Sequence, residues 1–194
     1  MKQNNTLIIH QLAIGDMANF TYLIADSVSK EAFVIDPQED LGPVEAAAAK
    51  DSLKITGVLL THGHYDHVGG LQELTTRLKI PAYLSEHEAP FYTPDCPGLR
   101  RTKEGARIPL GKKTITCLHT PGHTPGCQCF LIDGNLFTGD LLFIGGTGRT
   151  DLPGGNSRQM QESLQRVLSL EGSTVVWPGH DYGDAPFAMI KDLV

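Results

Sequence analysis

Residues 59–70, LLTHGHYDHVGG, carry His62, His64, Asp66 and His67 within six positions, directly after an apolar run and directly before Gly69 and Gly70. A fold that accepts this segment must end a buried strand at a polar edge and supply something there that suits four crowded donors. In an extended stretch His62 and His64 project to the same side, so both imidazoles can reach one ion, while the turn toward Gly69 lets Asp66 and His67 reach a neighbouring position. Several ligands on one short segment also cost little loop-closure entropy. Imidazole and carboxylate suit zinc, iron or manganese, and the lack of a cysteine in the segment argues against a soft, all-sulfur structural site.

Three weaker polar clusters share this placement after a strand-like run: TPGHTPG with His123 after KTITCLHT, FTGD ending in Asp140 after NLF, and WPGHDYG with His180 after TVV. Strand ends can hand side chains from a rigid sheet to one cleft, so the four loops are expected to converge. Gly63, Gly122, Gly139 and Gly179 sit before or inside these clusters, where a missing β-carbon permits close approach. His10, His87 and His119 stand apart and read as ordinary core or surface histidines.

The order of elements points to two similar halves. TLIIHQL, NFTYLIAD and EAFVIDP read as strands, PVEAAAAKD as a helix, ITGVLLT as a buried strand, GGLQELTTRLKI as a helix and AYLS as a short strand. Residues 94–107 read as a loop in which Arg100, Arg101, Lys103 and Arg107 form a solvated run. Strands KTITCLHT, CQCFLID and NLFTGD, a glycine-rich loop, the helix SRQMQESLQRVLSL, the strand TVVWP and a last helix near PFAMIKDL complete the chain. This order predicts an α/β (α+β) domain spanning 1–194, with halves of roughly 1–110 and 111–194 whose two sheets face each other beneath outer helices.

A formal net charge of −6 disfavours a nucleic-acid binder. No segment is apolar and long enough to span a bilayer, and His10, Gln11 and Asp16 interrupt the apolar run after Lys2, so neither a membrane partner nor a secretory signal is expected. Cys96, Cys117, Cys127 and Cys129 show no disulfide spacing, and a reducing cytoplasm fits best. Cys127 and Cys129 read as small buried hydrophobes. The glycine-rich GGTGRTDLPGG lacks the Gly-Lys-Ser/Thr ending of a phosphate loop, and is assigned to substrate contact or support of a metal loop.

THGHYDHVGG, followed in order by PGHTPG, FTGD and PGHDYG, resembles the metallo-β-lactamase superfamily over nearly the whole chain. The resemblance implies a four-layer αββα sandwich with a metal site at one edge of the sheets. It implies His62, His64 and His123 as ligands of a first ion, Asp66, His67 and His180 as ligands of a second, and Asp140 as the bridge. Zinc is the expected metal of such a pair, with iron or manganese as alternatives. True zinc β-lactamases usually have cysteine at the place of Asp140 and flavo-diiron proteins have Glu at that of His64, so neither activity is expected. TGDLLFIGGTGRTDLPGG is similar to hydroxyacylglutathione hydrolases (glyoxalase II) and persulfide dioxygenases. Arg149 matches a glutathione-holding cation of the former, but Asp151 replaces their tyrosine, and the sequence ends soon after His180, without their C-terminal helical domain.

The resemblance therefore implies, first, a hydrolase in which a metal-bridging hydroxide attacks a thioester such as a hydroxyacylglutathione. Asp66 and Asp140 are its catalytic carboxylates, and Arg149 and Tyr182 its substrate contacts. The second reading is a persulfide dioxygenase with a single iron on His62, His123 and Asp140. The third is a metal-binding regulatory module without turnover. The expected partner is a small molecule, a glutathione or other thiol derivative, and a homo-oligomer is left open.

Overall fold

The computed structural model describes residues 6–193; Lys2 lies outside them. Among the described residues fourteen strands and four α-helices follow in the order β1 (Leu7–Ala13), β2 (Phe20–Asp26), β3 (Glu31–Ile35), α1 (Gly42–Lys50), β4 (Lys54–Leu59), α2 (Tyr65–Val68), α3 (Leu71–Leu78), β5 (Ala82–Ser85), β6 (Leu99–Thr102), β7 (Arg107–Leu110), β8 (Lys113–His119), β9 (Gln128–Ile132), β10 (Asn135–Gly139), β11 (Leu142–Phe143), β12 (Gly146–Thr147), α4 (Ser157–Leu168), β13 (Val175–Pro178) and β14 (Ala188–Met189). One sheet has the strand order β1-β2-β3-β4-β5-β6 and the other β14-β13-β10-β9-β8-β7, while β11 and β12 form a separate hairpin.

The period-two side-chain alternation of the strands sorts three cores. Phe20, Tyr22 and Ile24 of β2 turn to the middle layer, where Phe33, Ile35 and Leu59 meet Ile115, Cys117, Phe130 and Phe137 of the other sheet. Leu23 and Ala25 turn the other way, with Val34, Val58 and Leu60, against Val44, Ala47 and Ala48 of α1 and Leu71 and Leu74 of α3. Cys129, Leu136 and Val176 face Met160 and Val167 of α4. The result is helix, sheet, sheet, helix. β2 is buried along its whole length, as a strand covered on both faces is. The side chain of Asn156 caps α4 by accepting from Gln159 N at 3.1 Å. Phe137 is fully buried between the sheets, so Phe137→Ala should cost about 3–5 kcal/mol in denaturant unfolding, as aromatic deletions in closed cores do.

Two sequence expectations are corrected. Residues 94–107 are not all loop: Leu99–Thr102 is an edge strand parallel to β5, and Arg107 opens β7. In LRRT the alternation is hidden because both central residues are exposed arginines. Those side chains are also engaged, since Arg100 lies 5.6 Å over the Tyr83 ring and Arg101 donates to Ser85 O and Thr93 Oγ1, both at 3.0 Å. Around PFAMIKDL there is no α-helix; β14 pairs antiparallel with β13 and a 3-10 turn follows at Ile190–Asp192. The open edge of β13 takes that backbone, and Ile190 fills the core under α4.

Candidate metal centre

The site forms where strand ends from both sheets meet. β4 delivers His62 and His64, the short α2 delivers Asp66 and His67, and His123, Asp140 and His180 follow β8, β10 and β13. Backbone bonds stitch the sheets together at this edge: Phe20 N donates to Gly179 O at 2.8 Å, Asp181 N to Ala18 O at 2.8 Å, and Gln128 N to Thr61 O at 2.9 Å. Gly63 admits a close crossing, for a β-carbon there would lie 1.7 Å from Tyr92 O. Gly139 holds φ +50° directly against Thr61, a conformation and a gap that favour glycine.

All seven sequence-predicted metal-site residues come together. His62 Nε2 and His123 Nε2 lie 3.1 and 2.9 Å from His64 Nδ1. On the other side His67 Nε2 and His180 Nε2 are 3.2 Å apart, each 3.6 Å from Asp66 Oδ2. Asp140 stands between the two groups: Oδ2 is 3.4 Å from His123 Nε2, and Oδ1 is 3.4 Å from Nε2 of both His67 and His180.

The outward nitrogens fix which atoms face in. His67 Nδ1 meets Asp36 Oδ2 at 3.0 Å, His180 Nδ1 meets Met17 O at 2.9 Å, and His123 Nδ1 meets Arg149 O at 2.6 Å. Each of these partners only accepts, so each Nδ1 carries the proton. The Thr61 hydroxyl donates to Asp36 Oδ2 at 2.6 Å, which leaves its oxygen to accept from His62 Nδ1 at 3.0 Å. Four Nε2 atoms therefore point inward with the Asp66 and Asp140 carboxylates. Asp140 Oδ1 is buried without a hydrogen-bond donor. Imidazole nitrogens and carboxylate oxygens at these separations fit divalent cations, whose binding displaces any proton on the inward nitrogens. A further grouping, Asp36 with His62 and His67, is no separate site, because Asp36 already accepts from Thr61 N at 2.8 Å, Thr61 Oγ1 and His67 Nδ1.

Electrostatics separates the two groups. Burial holds the His62 imidazole well below its ordinary pKa, and burial together with His123 brings His64 to about 4, so both offer lone pairs at neutral pH. Burial also disfavours a charge on His67, but the Asp140 and Asp36 carboxylates outweigh it and raise that pKa well above the usual value. His180 is likewise raised by Asp140 against its burial. Asp140 is held well below the usual carboxylate range because the surrounding imidazoles, His67 first among them, outweigh its own burial.

Sequence reasoning missed the groups beneath the centre. Asp36 is 2% exposed and orients His67, and Asn19 Nδ2 donates to Asp66 O and Oδ2 at 3.0 and 3.1 Å. Glu88, 5% exposed, accepts from Gly63 N, between two ligand positions, and from the Thr124 hydroxyl, next to His123, both at 3.0 Å. Lone acidic residues carry no spacing signal; only the place of Asp36 at the end of β3, before Pro37, could have marked it. Both Glu88 oxygens accept, since Ala89 N donates to Oε1 at 3.0 Å, so Glu88→Gln sets an NH2 against a donor in either orientation. It should weaken ion retention by about 10–100-fold, as loss of an outer-shell partner does, read as metal content against a chelator series.

A cleft of about 730 Å³ opens over the centre, walled by Met17, Tyr65, Tyr92, Phe143, Arg149 and Tyr182 among others. Tyr182 stacks on His180 at 4.6 Å and donates to Met17 O at 3.1 Å, so it serves both packing and the cleft wall. Arg149 reaches the wall with its side chain in a bidentate pair with Asp151, at 2.7 and 2.6 Å. The glycine-rich loop thus contacts His123, through Arg149 O, and lines the cleft. His119 is not part of the centre: it donates to or accepts no ligand there, its Nε2 meeting Pro125 O at 2.9 Å and its ring stacking on His87. His10 pairs with Asp51 at 2.7 Å. Cys117 and Cys129 are buried, which pushes both thiols up to about 12 and leaves them neutral packing groups; Cys127 precedes β9 but is buried and raised as well.

Comparison with known proteins agrees with this geometry. The family described as the metallo-beta-lactamase superfamily matches residues 14–180. The chain is 36% identical over 176 residues to the probable polyketide biosynthesis zinc-dependent hydrolase PksB of Bacillus subtilis, covering 90% of this chain and 78% of that one. It is 36% identical to a hydroxyacylglutathione hydrolase of Gloeobacter violaceus, over 94% of this chain and 71% of the relative. The crystal structure of ETHE1 from Myxococcus xanthus superposes with a TM-score of 0.86 at 33% identity, covering 95% of this chain and 80% of the other. With the motif order, the layered fold and the clustered histidines all in place, the chain belongs to the metallo-beta-lactamase superfamily.

Proposed function

We propose that the protein is a metal-dependent hydrolase of thioesters. The observation that carries this reading is the Asp140 carboxylate, whose two oxygens face two complete ligand groups, one on each side. Divalent ions held there supply Lewis acidity, which brings water's pKa toward about 7 and polarises a carbonyl. The chain's own groups do the rest. The four Nδ1–H bonds keep the imidazoles in one tautomer, so none is free to rotate away from the centre. Asp66, fixed by Asn19 and bordering the cleft, is placed to orient an attacking water and to accept its proton.

The leaving group follows from what the cleft lacks. Among its described residues the acids near the centre are the carboxylates Asp66 and Asp140 and the phenols Tyr65, Tyr92 and Tyr182; burial raises Tyr92 and Tyr182, and the Tyr65 hydroxyl donates to Met17 Sδ at 3.2 Å. The Tyr182 hydroxyl proton is moreover given to Met17 O. Such a site protonates a leaving amine or alkoxide poorly, whereas a thiolate, with a thiol pKa of about 8.5, can depart unprotonated. The likeness to a hydroxyacylglutathione hydrolase supports the same class. Four free, buried thiols fit a reducing cytoplasm.

A second reading, a persulfide dioxygenase using one iron on His62, His123 and Asp140, is supported by the likeness to the persulfide dioxygenase ETHE1 of Homo sapiens, 32% identical over 184 residues. Metal analysis of protein purified without chelator, paired with thioester hydrolysis and with oxygen uptake on glutathione persulfide, separates them. Two ions per chain with thioester cleavage is the expected result. One iron, oxygen uptake and no thioester cleavage would eliminate the hydrolase.

A further inference from the structure

We infer that the cleft receives an uncharged, apolar acyl arm of the thioester, and that Asp151 disfavours an anionic thiol arm by pairing with Arg149. The inference rests on the hydrolase reading and names its substrate class. Large apolar side chains are left in water at this mouth: Tyr65 is 76% exposed, Tyr182 57% and Met17 42%. They are continuous, since the Tyr65 hydroxyl rests on Met17 Sδ at 3.2 Å and the Tyr182 ring meets Phe143 edge-on at 5.3 Å. An exposed apolar patch that rims a polar centre is the signature of a surface covered in use.

Charge points the same way. Apart from the metal-centre residues, the cleft wall carries one formal charge, Arg149, and the Nε–Nη2 edge of its guanidinium is taken by Asp151. The Arg149 hydrogen bonds bring the Asp151 carboxyl down to about 2, so the partner stays ionised throughout the neutral range. An exposed pair of this kind stabilises the fold little. Its consequence is for the ligand: an incoming carboxylate meets a neutral pair instead of a cation, while an alkyl or aryl chain meets aromatic walls. The cleft volume, about 730 Å³, leaves room for a chain much longer than a two-carbon acyl group.

The test compares kcat/KM of the metal-loaded enzyme for hexanoyl- and acetyl-N-acetylcysteamine and for S-lactoylglutathione. Four additional methylenes, partly covered, should favour the hexanoyl thioester over the acetyl one by about tenfold. Tyr65→Ala and Tyr182→Ala should bring that ratio toward one. Asp151→Asn, which frees Arg149, should raise S-lactoylglutathione relative to the hexanoyl substrate by about threefold or more. Equal rates for hexanoyl and acetyl thioesters, or a preference of the unaltered enzyme for S-lactoylglutathione, would overturn the inference. Calorimetric binding of the uncleavable thioether S-hexyl-N-acetylcysteamine keeps the two claims apart. Tyr65-dependent binding without cleavage of any thioester would sink the hydrolase and leave the apolar site standing; cleavage without chain-length preference would do the reverse.

Discussion

Asp140→Asn should lower turnover by more than about 100-fold, the upper figure for losing an outer metal partner, and should reduce bound metal while far-UV circular dichroism stays unchanged. The expectation follows from position. Asp140 turns one oxygen toward each group, and its Oδ1 has no hydrogen-bond donor to satisfy it. An amide keeps the shape but loses the charge, and its NH2 would meet inward lone pairs on one side or the other. The surrounding fold does not need the carboxylate, since Thr138, Gly139 and Leu141 are held by backbone and hydroxyl bonds of their own. Turnover and metal content equal to those of the unaltered protein would remove Asp140 from the bridge.

The second large effect is removal of the ions. Chelation should abolish turnover, restored by adding back divalent metal, and should leave a fold whose stability depends on acid. The sign comes from His64, whose folded pKa of about 4 lies below the unfolded value of about 6.5. Between those values the unfolded chain binds a proton that the folded chain does not, so this group's contribution is complete above about 6.5 and is lost as pH falls toward 4. His67 works oppositely: its raised pKa gives stability that is full below about 6.5 and fades as pH rises through the folded value. The clean reading is a difference. The metal-free Tm of the parent should fall more between pH 7 and pH 5 than that of His64→Gln; parallel curves would show that His64 is not held neutral by its burial.

The candidate site was legible because its first four residues lie on one short segment, where crowding itself is the signal, and because His123, Asp140 and His180 each follow a recognisable strand. The same logic exposed the layered fold: β2, β4 and β10 announce themselves by apolar and β-branched runs. What stayed hidden has a common cause. Glu88 and Asp36 act by accepting hydrogen bonds from residues far away in the chain, and a lone acid looks the same in sequence whether it is buried or solvated. Arg149 supports His123 through its backbone carbonyl, which no side-chain pattern can encode. In β6, two exposed arginines masked a short edge strand. Near the C-terminal end, helix-like composition lost to the unpaired edge of β13, a tertiary partner that outweighs weak local propensity.

Anomalous diffraction from crystals of metal-loaded protein tests the central claim most directly. The account predicts two peaks about 3.5–4 Å apart, one among His62, His64 and His123, the other among Asp66, His67 and His180, both in contact with Asp140. A single peak that leaves Asp66, His67 and His180 without an ion, or peaks away from these residues, would contradict it.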